Sequence, residues 1–102
     1  TIRVYVPASR RPIAEKSVAL AKAQLLAGGW STRHITGGWI DPSGNPIIEP
    51  VDEHEYLVST DKAQAVMMYL TALSEELLAA GEQAVLLVEV NSCGNTTTFT
   101  LS

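Results

Sequence analysis

Apolar and polar residues alternate at the start of the chain, as they do in a half-buried β-strand. Ile2, Val4 and Val6 are separated by polar neighbours, and Pro7 ends the pattern. A helical period follows from Pro12 to the glycine pair at 28–29. The apolar stripe expected to face the core is Ala14, Val18, Ala21 and Leu25.

Two segments rich in β-branched and aromatic residues come next, separated by a run of turn formers. The first covers Trp30–Ile40, the turn covers positions 41–46, and the second segment covers Ile47–Ser59. The pattern predicts a β-hairpin. Pro50 has no backbone N–H, so we expect it at an edge, a bulge or a strand start, with irregular pairing around it.

The second half of the chain gives a helix followed by strands. The helix is predicted to begin at Thr60 or Asp61 and to end at Gly81. Ala84–Val90 is almost continuously apolar, which is typical of a strand covered on both faces. Thr96–Leu101 alternates as a short edge strand does. The buried stripe predicted for the helix is Val66, Leu70, Leu73 and Leu77.

The predicted order is therefore β-α-β-β-α-β with a fifth, C-terminal edge strand. Right-handed crossovers place both helices on one face of an antiparallel sheet, so the order predicts a ferredoxin-like α+β sandwich. A chain of 102 residues fits one domain, residues 1–102. The other sheet face stays open in a monomer, and the doubly apolar strand near Leu86 predicts that self-association covers it.

Charge, hydropathy and cysteine content limit which kinds of partner and which location we expect for the protein. Seven Lys and Arg against eleven Asp and Glu give a net charge of −4, the wrong sign for binding a phosphate backbone. The sequence shows no signal segment and no stretch long enough for a membrane span, and Cys93 has no intramolecular partner. These features predict a cytoplasmic protein that binds neither nucleic acid nor membrane.

The common catalytic and metal-binding patterns are weak. His34 and His54 have no Cys or Glu partner at a ligand spacing, so no metal site is predicted. Ser9 lacks the surroundings of a catalytic serine, and Cys93 has no basic neighbour that would activate it. We interpret the histidines as surface or hairpin residues and Cys93 as structural.

The predicted hairpin carries more informative residues. Gly37 and Gly38 precede Trp39 inside a strand, where glycine marks either a bulge or the close approach of a ligand. Four acids follow in the return strand, most of them expected on a solvated face, and alternation separates Asp52 from the rest. Glu49 lies among apolar residues, where a buried carboxylate needs a cationic partner. The acids that share one side are Glu49, Glu53 and Glu55.

These residues resemble a family, the phage-encoded S-adenosylmethionine lyases, formerly called hydrolases. Positions 36–41, Thr-Gly-Gly-Trp-Ile-Asp, are similar to that family's Thr-Gly-x-aromatic-x-acid segment, and Glu49 matches the acid of its return strand. Positions 61–65, Asp-Lys-Ala-Gln-Ala, are close to the opening of its second helix, and the apolar strand at 84–90 follows at a similar distance. The sequence departs from the family with Trp39 in place of Tyr and Asp41 in place of Glu.

The resemblance implies a reaction and a site. In such enzymes the carboxylate of S-adenosylmethionine attacks its own γ-carbon, giving homoserine lactone and methylthioadenosine without water or a cofactor. The resemblance implies that such an enzyme depletes this methyl donor in an infected bacterium and so blunts restriction or methylation. By this likeness Glu49 is the catalytic residue and holds the substrate ammonium. The substrate-binding residues implied are Trp39, Gly37, Gly38, Ala8 and Ser9.

A second likeness keeps other functions open. The run Gly-Gly-Trp-x-Asp-Pro-x-Gly also resembles hairpins of PII-like trimeric signalling proteins, and both groups form homotrimers with ligand sites between subunits. A nucleotide sensor and an interaction module without a ligand are therefore the alternatives to a lyase. A sensor that recognises phosphates favours clustered basic residues, and here only Arg10 and Arg11 are adjacent.

Overall fold

A five-stranded antiparallel sheet is the framework of this computed structural model, which describes residues 1–102. The sheet order is β2-β3-β1-β4-β5, with α-helices packed on one face. This is the predicted ferredoxin-like arrangement, with the fifth strand at an edge. The strands are β1 (Ile2–Pro7), β2 (Trp30–Ile40), β3 (Pro46–Tyr56), β4 (Val85–Val90) and β5 (Thr96–Leu101). The helices are α1 (Arg11–Lys16), α2 (Val18–Ala27) and α3 (Thr60–Ala79).

The core lies between the sheet and the helices. β1 buries its alternate side chains as predicted, and an apolar cluster of 13 buried residues joins the sheet to the helices. Burying one such side chain contributes about 1.5–3 kcal/mol, so this layer holds the sandwich together. None of the helices is both long enough and apolar enough to cross a membrane. The predicted stripe of α3 is fully buried at Val66, Leu70, Leu73 and Leu77.

The predicted first helix is broken in two. The prediction of its buried face is confirmed at Ala14 and wrong for Val18, Ala21 and Leu25. The chain leaves helical geometry at Ser17, whose hydroxyl accepts a hydrogen bond from the Leu20 N–H at 3.1 Å and caps α2. The new start changes which face meets the sheet. Leu20 and Ala23 are buried, whereas Val18 and Leu25 are 66% and 84% exposed.

The strand pairing around Pro50 is regular, contrary to expectation. All eleven residues of β2 pair in sequence with β3, without a bulge at the glycines. β1 ends opposite Val51, so Pro50 lies just past the end of β1, at a free edge of β3. The missing N–H of Pro50 therefore costs no hydrogen bond to β1.

The face of the sheet opposite the helices is uncovered in this chain. Val85 and Leu87 of β4 are buried on the helix side, while Leu86, on the other side, is 38% exposed. β4 is therefore covered on one face only. Register and alternation define what we name the open face. It includes Tyr5, Gly37, Trp39, Glu49, Val51 and Leu86.

Candidate functional site

A groove of about 570 Å³ crosses the open face at the end of β1. One wall is the outer half of the β2–β3 hairpin, and the opposite wall is the loop of residues 81–84, which leads into β4. Tyr5 and Pro7 of β1 lie between the two walls. We name this cavity the sheet-face groove.

The hairpin brings four of the predicted site residues into the sheet-face groove. Alternation along β3 places Glu49 on the open face, and Gly37 lies directly opposite it on β2. Gly38 and Trp39 follow along β2 and also line the groove. One uninterrupted strand ladder thus explains why residues distant in the sequence meet here.

The predicted contacts of Ala8 and Ser9 have no counterpart in the groove lining. Both residues belong to a 3-10 turn, Ala8–Arg10, that follows β1. Pro7, the residue before the turn, lines the groove, but Ala8 and Ser9 do not. The chain turns away from the open face at this point because it must enter α1 on the other side of the sheet.

Gly37 is required by packing rather than by a bulge. A Cβ atom at this position would lie 2.7 Å from Cγ2 of Val51, closer than such atoms approach in proteins. Any side chain at position 37 therefore forces the Val51 side chain to move. The glycine also leaves the groove open directly beside Glu49.

Glu49 is half-buried and has no ion pair with any basic side chain. The only other acid lining the sheet-face groove is Glu82, which is paired with Arg10. No Lys, Arg or His lines the groove. The cationic partner expected for Glu49 does not come from this chain, so the groove suits a cationic ligand.

The prediction that the neighbouring acids are solvated is wrong for two of them. Asp52 is buried, and Arg11 donates to its carboxylate from Nε and Nη2 at 2.7 and 2.8 Å. Nδ1 of His34 lies 2.7 Å from the same carboxylate. Hydrogen bonds from Arg11, aided by His34, lower the pKa of Asp52 to about 2. Glu53 is buried as well, and Arg33 donates to it from Nε at 2.9 Å.

Tyr5 supplies the groove with an aromatic hydroxyl that sequence reasoning missed. It lies on β1 opposite Glu53. The hydroxyl of a tyrosine is protonated at neutral pH and can donate a hydrogen bond. Burial, together with the charge of Glu53, raises the pKa of Tyr5 above its ordinary value. Strand alternation predicts its face, but only the sheet order brings β1 alongside the hairpin.

A second groove, about 490 Å³, lies on the helix side of β2 and β3. It contains Arg11, Asp52 and both histidines. Nδ1 of His54 lies 3.1 Å from Oγ1 of Thr32, and burial lowers the pKa of His54. No group of three or more His, Cys, Asp or Glu side chains is arranged to hold a metal ion.

Another cavity, about 800 Å³, lies between α3 and the β4–β5 hairpin. It is lined mainly by threonines and apolar residues and contains none of the predicted site residues. Its volume alone does not make it a candidate for the functional site. Cys93, in the turn of that hairpin, is exposed and free.

The fold and the groove define a class of small ferredoxin-like α+β proteins with a ligand-sized groove on an open sheet face. Within this class the chain has the fold of phage S-adenosylmethionine lyase structures. It matches a phage SAM lyase in complex with S-methyl-5'-thioadenosine with a TM-score of 0.71 and 15% identity, over 99% of this chain and 87% of that chain. It matches a phage SAM lyase in the apo state with a TM-score of 0.64 and 15% identity, over 99% and 86%.

At this level of identity the likeness shows the fold and no more. The sequence itself matches no protein-family profile and none of the curated proteins.

Proposed function

We propose that this protein is an S-adenosylmethionine lyase whose reaction takes place in the sheet-face groove. The substrate carboxylate attacks the substrate's own γ-carbon, so that a C–O bond forms while the C–S bond breaks and its electron pair goes to sulfur. The products are homoserine lactone and methylthioadenosine, and no water is consumed. A shared fold with a phage lyase that binds S-methyl-5'-thioadenosine supports the proposal.

The charge of the groove carries the proposal. Glu49 is half-buried without a protein cation, and no basic side chain lines the cavity. S-adenosylmethionine carries an ammonium and a sulfonium group, so an acidic groove attracts it. A nucleoside phosphate is anionic, like the groove, so charge repulsion disfavours its binding.

The reaction requires no general base. The attacking carboxylate is already ionised at neutral pH. Rate acceleration comes from folding the substrate until its carboxylate faces the γ-carbon, and from excluding water around two opposite charges that cancel as the bond forms. This explains how a chain without a catalytic triad can be an enzyme.

Glu49 and Trp39 have different tasks in this mechanism. Glu49 binds the substrate ammonium and so orients the methionine part. The indole of Trp39 attracts the sulfonium by about 0.5–2 kcal/mol through its aromatic face. Gly37 keeps the space between them open. The backbone of Ala8 and Ser9 stays a predicted contact, just past Pro7 at the end of the groove.

We further propose that the open face is covered by other copies of the chain in a homotrimer, with the groove between subunits. Trp39 and Leu86 are 39% and 38% exposed, and burying them would complete the dry environment that the reaction needs. Light scattering should give three times the chain mass of 10.9 kDa. A monomer at assay concentration contradicts the trimer. The expected location is the cytoplasm of an infected bacterium, where a free Cys93 stays reduced.

A PII-like nucleotide sensor is less well supported. Arg10 and Arg11, the only adjacent basic residues, bind different acids, Glu82 and Asp52. They do not form a phosphate-binding cluster. A melting-temperature screen should show no stabilisation by ATP, ADP or AMP, and stabilisation by these alone would favour the sensor.

Incubation of the purified protein with S-adenosylmethionine, followed by chromatography, tests the proposed function. Methylthioadenosine and homoserine lactone should appear in equal amounts. Unchanged S-adenosylmethionine after prolonged incubation contradicts the proposal.

A further inference from the structure

The two walls of the sheet-face groove differ in chemistry. The hairpin wall carries Glu49, which has no ion pair, and Trp39. In the loop of residues 81–84 the acid, Glu82, is paired with Arg10, and the carboxamide of Gln83 is a neutral polar group. This loop leads into β4, which lies two strands from β3. At about 4.8 Å per strand the walls are roughly 10 Å apart. The loop therefore faces the part of the ligand that is remote from Glu49.

The loop is fixed before any ligand binds. Nε of Arg10 donates to Oε2 of Glu82 at 3.2 Å, with side chains 31% and 18% exposed. Gly81 has φ +114, and a Cβ there would lie 3.3 Å from Nη2 of Arg10, so the guanidinium packs against the glycine backbone. The N–H groups of Gly81 and Glu82 donate to the carbonyls of Leu78 and Leu77 at 3.0 and 3.1 Å. A preformed wall loses little entropy on binding.

Gln83 is the side chain of this loop that remains available to a ligand. Glu82 is engaged by Arg10, and the other two loop residues, glycine and alanine, have no polar side-chain atom. Gln83 is exposed and lines the groove. Its carboxamide presents both a donor and an acceptor.

We propose that Gln83 recognises the adenine base of the substrate and determines the base specificity of the enzyme. The inference rests on the proposed function, because Glu49, by holding the ammonium at the hairpin wall, directs the nucleoside towards the loop. A glutamine carboxamide pairs with N6 and N7 of adenine through two hydrogen bonds. Hypoxanthine has an acceptor in place of the N6 donor and forms only one of them.

Base specificity is measured by comparing kcat/KM for S-adenosylmethionine and S-inosylmethionine. The wild-type protein should prefer adenine by roughly tenfold or more. Gln83→Leu should remove most of this preference by raising KM for S-adenosylmethionine, with kcat little changed. Gln83→Glu, which accepts from N6 but cannot donate to N7, should fall between the two. The matched control is Gln64→Leu, an exposed glutamine on α3 outside the groove, which should keep the wild-type ratio.

The outcomes separate this inference from the proposed function. A wild-type enzyme that converts S-adenosylmethionine, together with a Gln83→Leu variant that retains the full preference for adenine, overturns the role of Gln83 alone. A wild-type protein that converts neither compound overturns both.

The ion pair between Arg10 and Glu82 gives a second test of the loop. Arg10→Glu and Glu82→Arg should each raise KM, and the double variant, which restores the pair with opposite polarity, should recover part of the loss. Unchanged KM in both single variants contradicts the idea that the loop is a binding wall.

Discussion

The two hairpins of this protein are closed by nearly the same turn. In the β2–β3 turn, Asp41 accepts hydrogen bonds from the N–H groups two and four residues further on, both at 2.9 Å. In the β4–β5 turn, Asn91 accepts the equivalent two at 3.0 Å. A glycine with positive φ, Gly44 or Gly94, completes each turn. Because both hairpins share these turn hydrogen bonds, the turns do not explain why only one hairpin carries the candidate site.

The strands of the two hairpins differ in length and in what they carry. β2 and β3 have 11 residues each, whereas β4 and β5 have 6. The longer hairpin extends past the end of β1, and this overhang places Gly37 and Glu49 at the groove. The shorter hairpin has Glu89 as its only charged residue. The groove therefore forms because β2 and β3 are longer than β1 and extend past its end.

The largest expected effect is on activity, from a substitution in the part of the β2–β3 hairpin that extends past β1. Glu49→Gln should leave the fold intact and lower kcat/KM for S-adenosylmethionine roughly 100-fold, because the ion pair with the substrate ammonium is replaced by a weaker hydrogen bond to a neutral carboxamide. Steady-state kinetics with circular dichroism check both parts. Glu89→Gln, in a half-buried acid of the shorter hairpin, is the matched control and should keep wild-type activity. Equal activity of folded Glu49→Gln and wild type would remove Glu49 from the mechanism.

The next largest effect is on stability, from the hydrogen bonds that anchor the longer hairpin to α1 through Asp52 and Arg11. Asp52→Asn should lower the free energy of unfolding by about 2 kcal/mol, because it weakens the charge-assisted bonds to α1. Urea denaturation measures this. Thr97→Ala, at an exposed position of β5, should change stability by less than about 0.5 kcal/mol. Similar losses in the two variants would mean that the hairpins are anchored alike.

Acid should weaken the same anchor. The pKa of Asp52 is lowered to about 2 in the folded protein, below an unfolded value of about 3.9. The stabilisation is therefore complete above about pH 4 and is lost as pH falls from about 4 to 2. Urea midpoints across this range should converge for the wild type and Asp52→Asn. A constant difference down to pH 2 would contradict this assignment.

The smallest effect lies in the turns. Asp41→Asn should leave the melting temperature unchanged, because Asn91 already makes the same bonds in the other turn. Asp41→Ala should lower it, because the turn N–H groups lose their acceptor. Scanning calorimetry distinguishes the three proteins. Equal melting temperatures for the alanine and asparagine variants would show that these bonds do not stabilise the turn.

Local patterns predict the sheet and α3 well because each element follows one period throughout. Alternation in β1 and the stripe from Val66 to Leu77 correspond directly to buried positions. The prediction for the helix before β2 fails because Ser17 caps a new helix inside the apolar pattern. A different face of this new helix meets the sheet, and Leu25 lies in solvent.

The candidate site is less accessible to sequence reasoning because it depends on partners far apart in the chain. Alternation correctly separates Asp52 from Glu49 and Glu53. It cannot show that Arg11 reaches Asp52 from a helix, or that Arg33 pairs with Glu53. Alternation predicts which face of the sheet Glu49 lies on. The position of residues 81–84 on the other side of the groove depends on the order of the strands in the sheet, which alternation does not give.

The central claim, that S-adenosylmethionine closes on itself in a dry groove, is tested most directly by turnover in water enriched in heavy oxygen. Mass spectrometry of the four-carbon product at early times should find homoserine lactone without the label. Homoserine that carries heavy oxygen in its hydroxyl group from the first turnovers would show attack by water at the γ-carbon and contradict the mechanism.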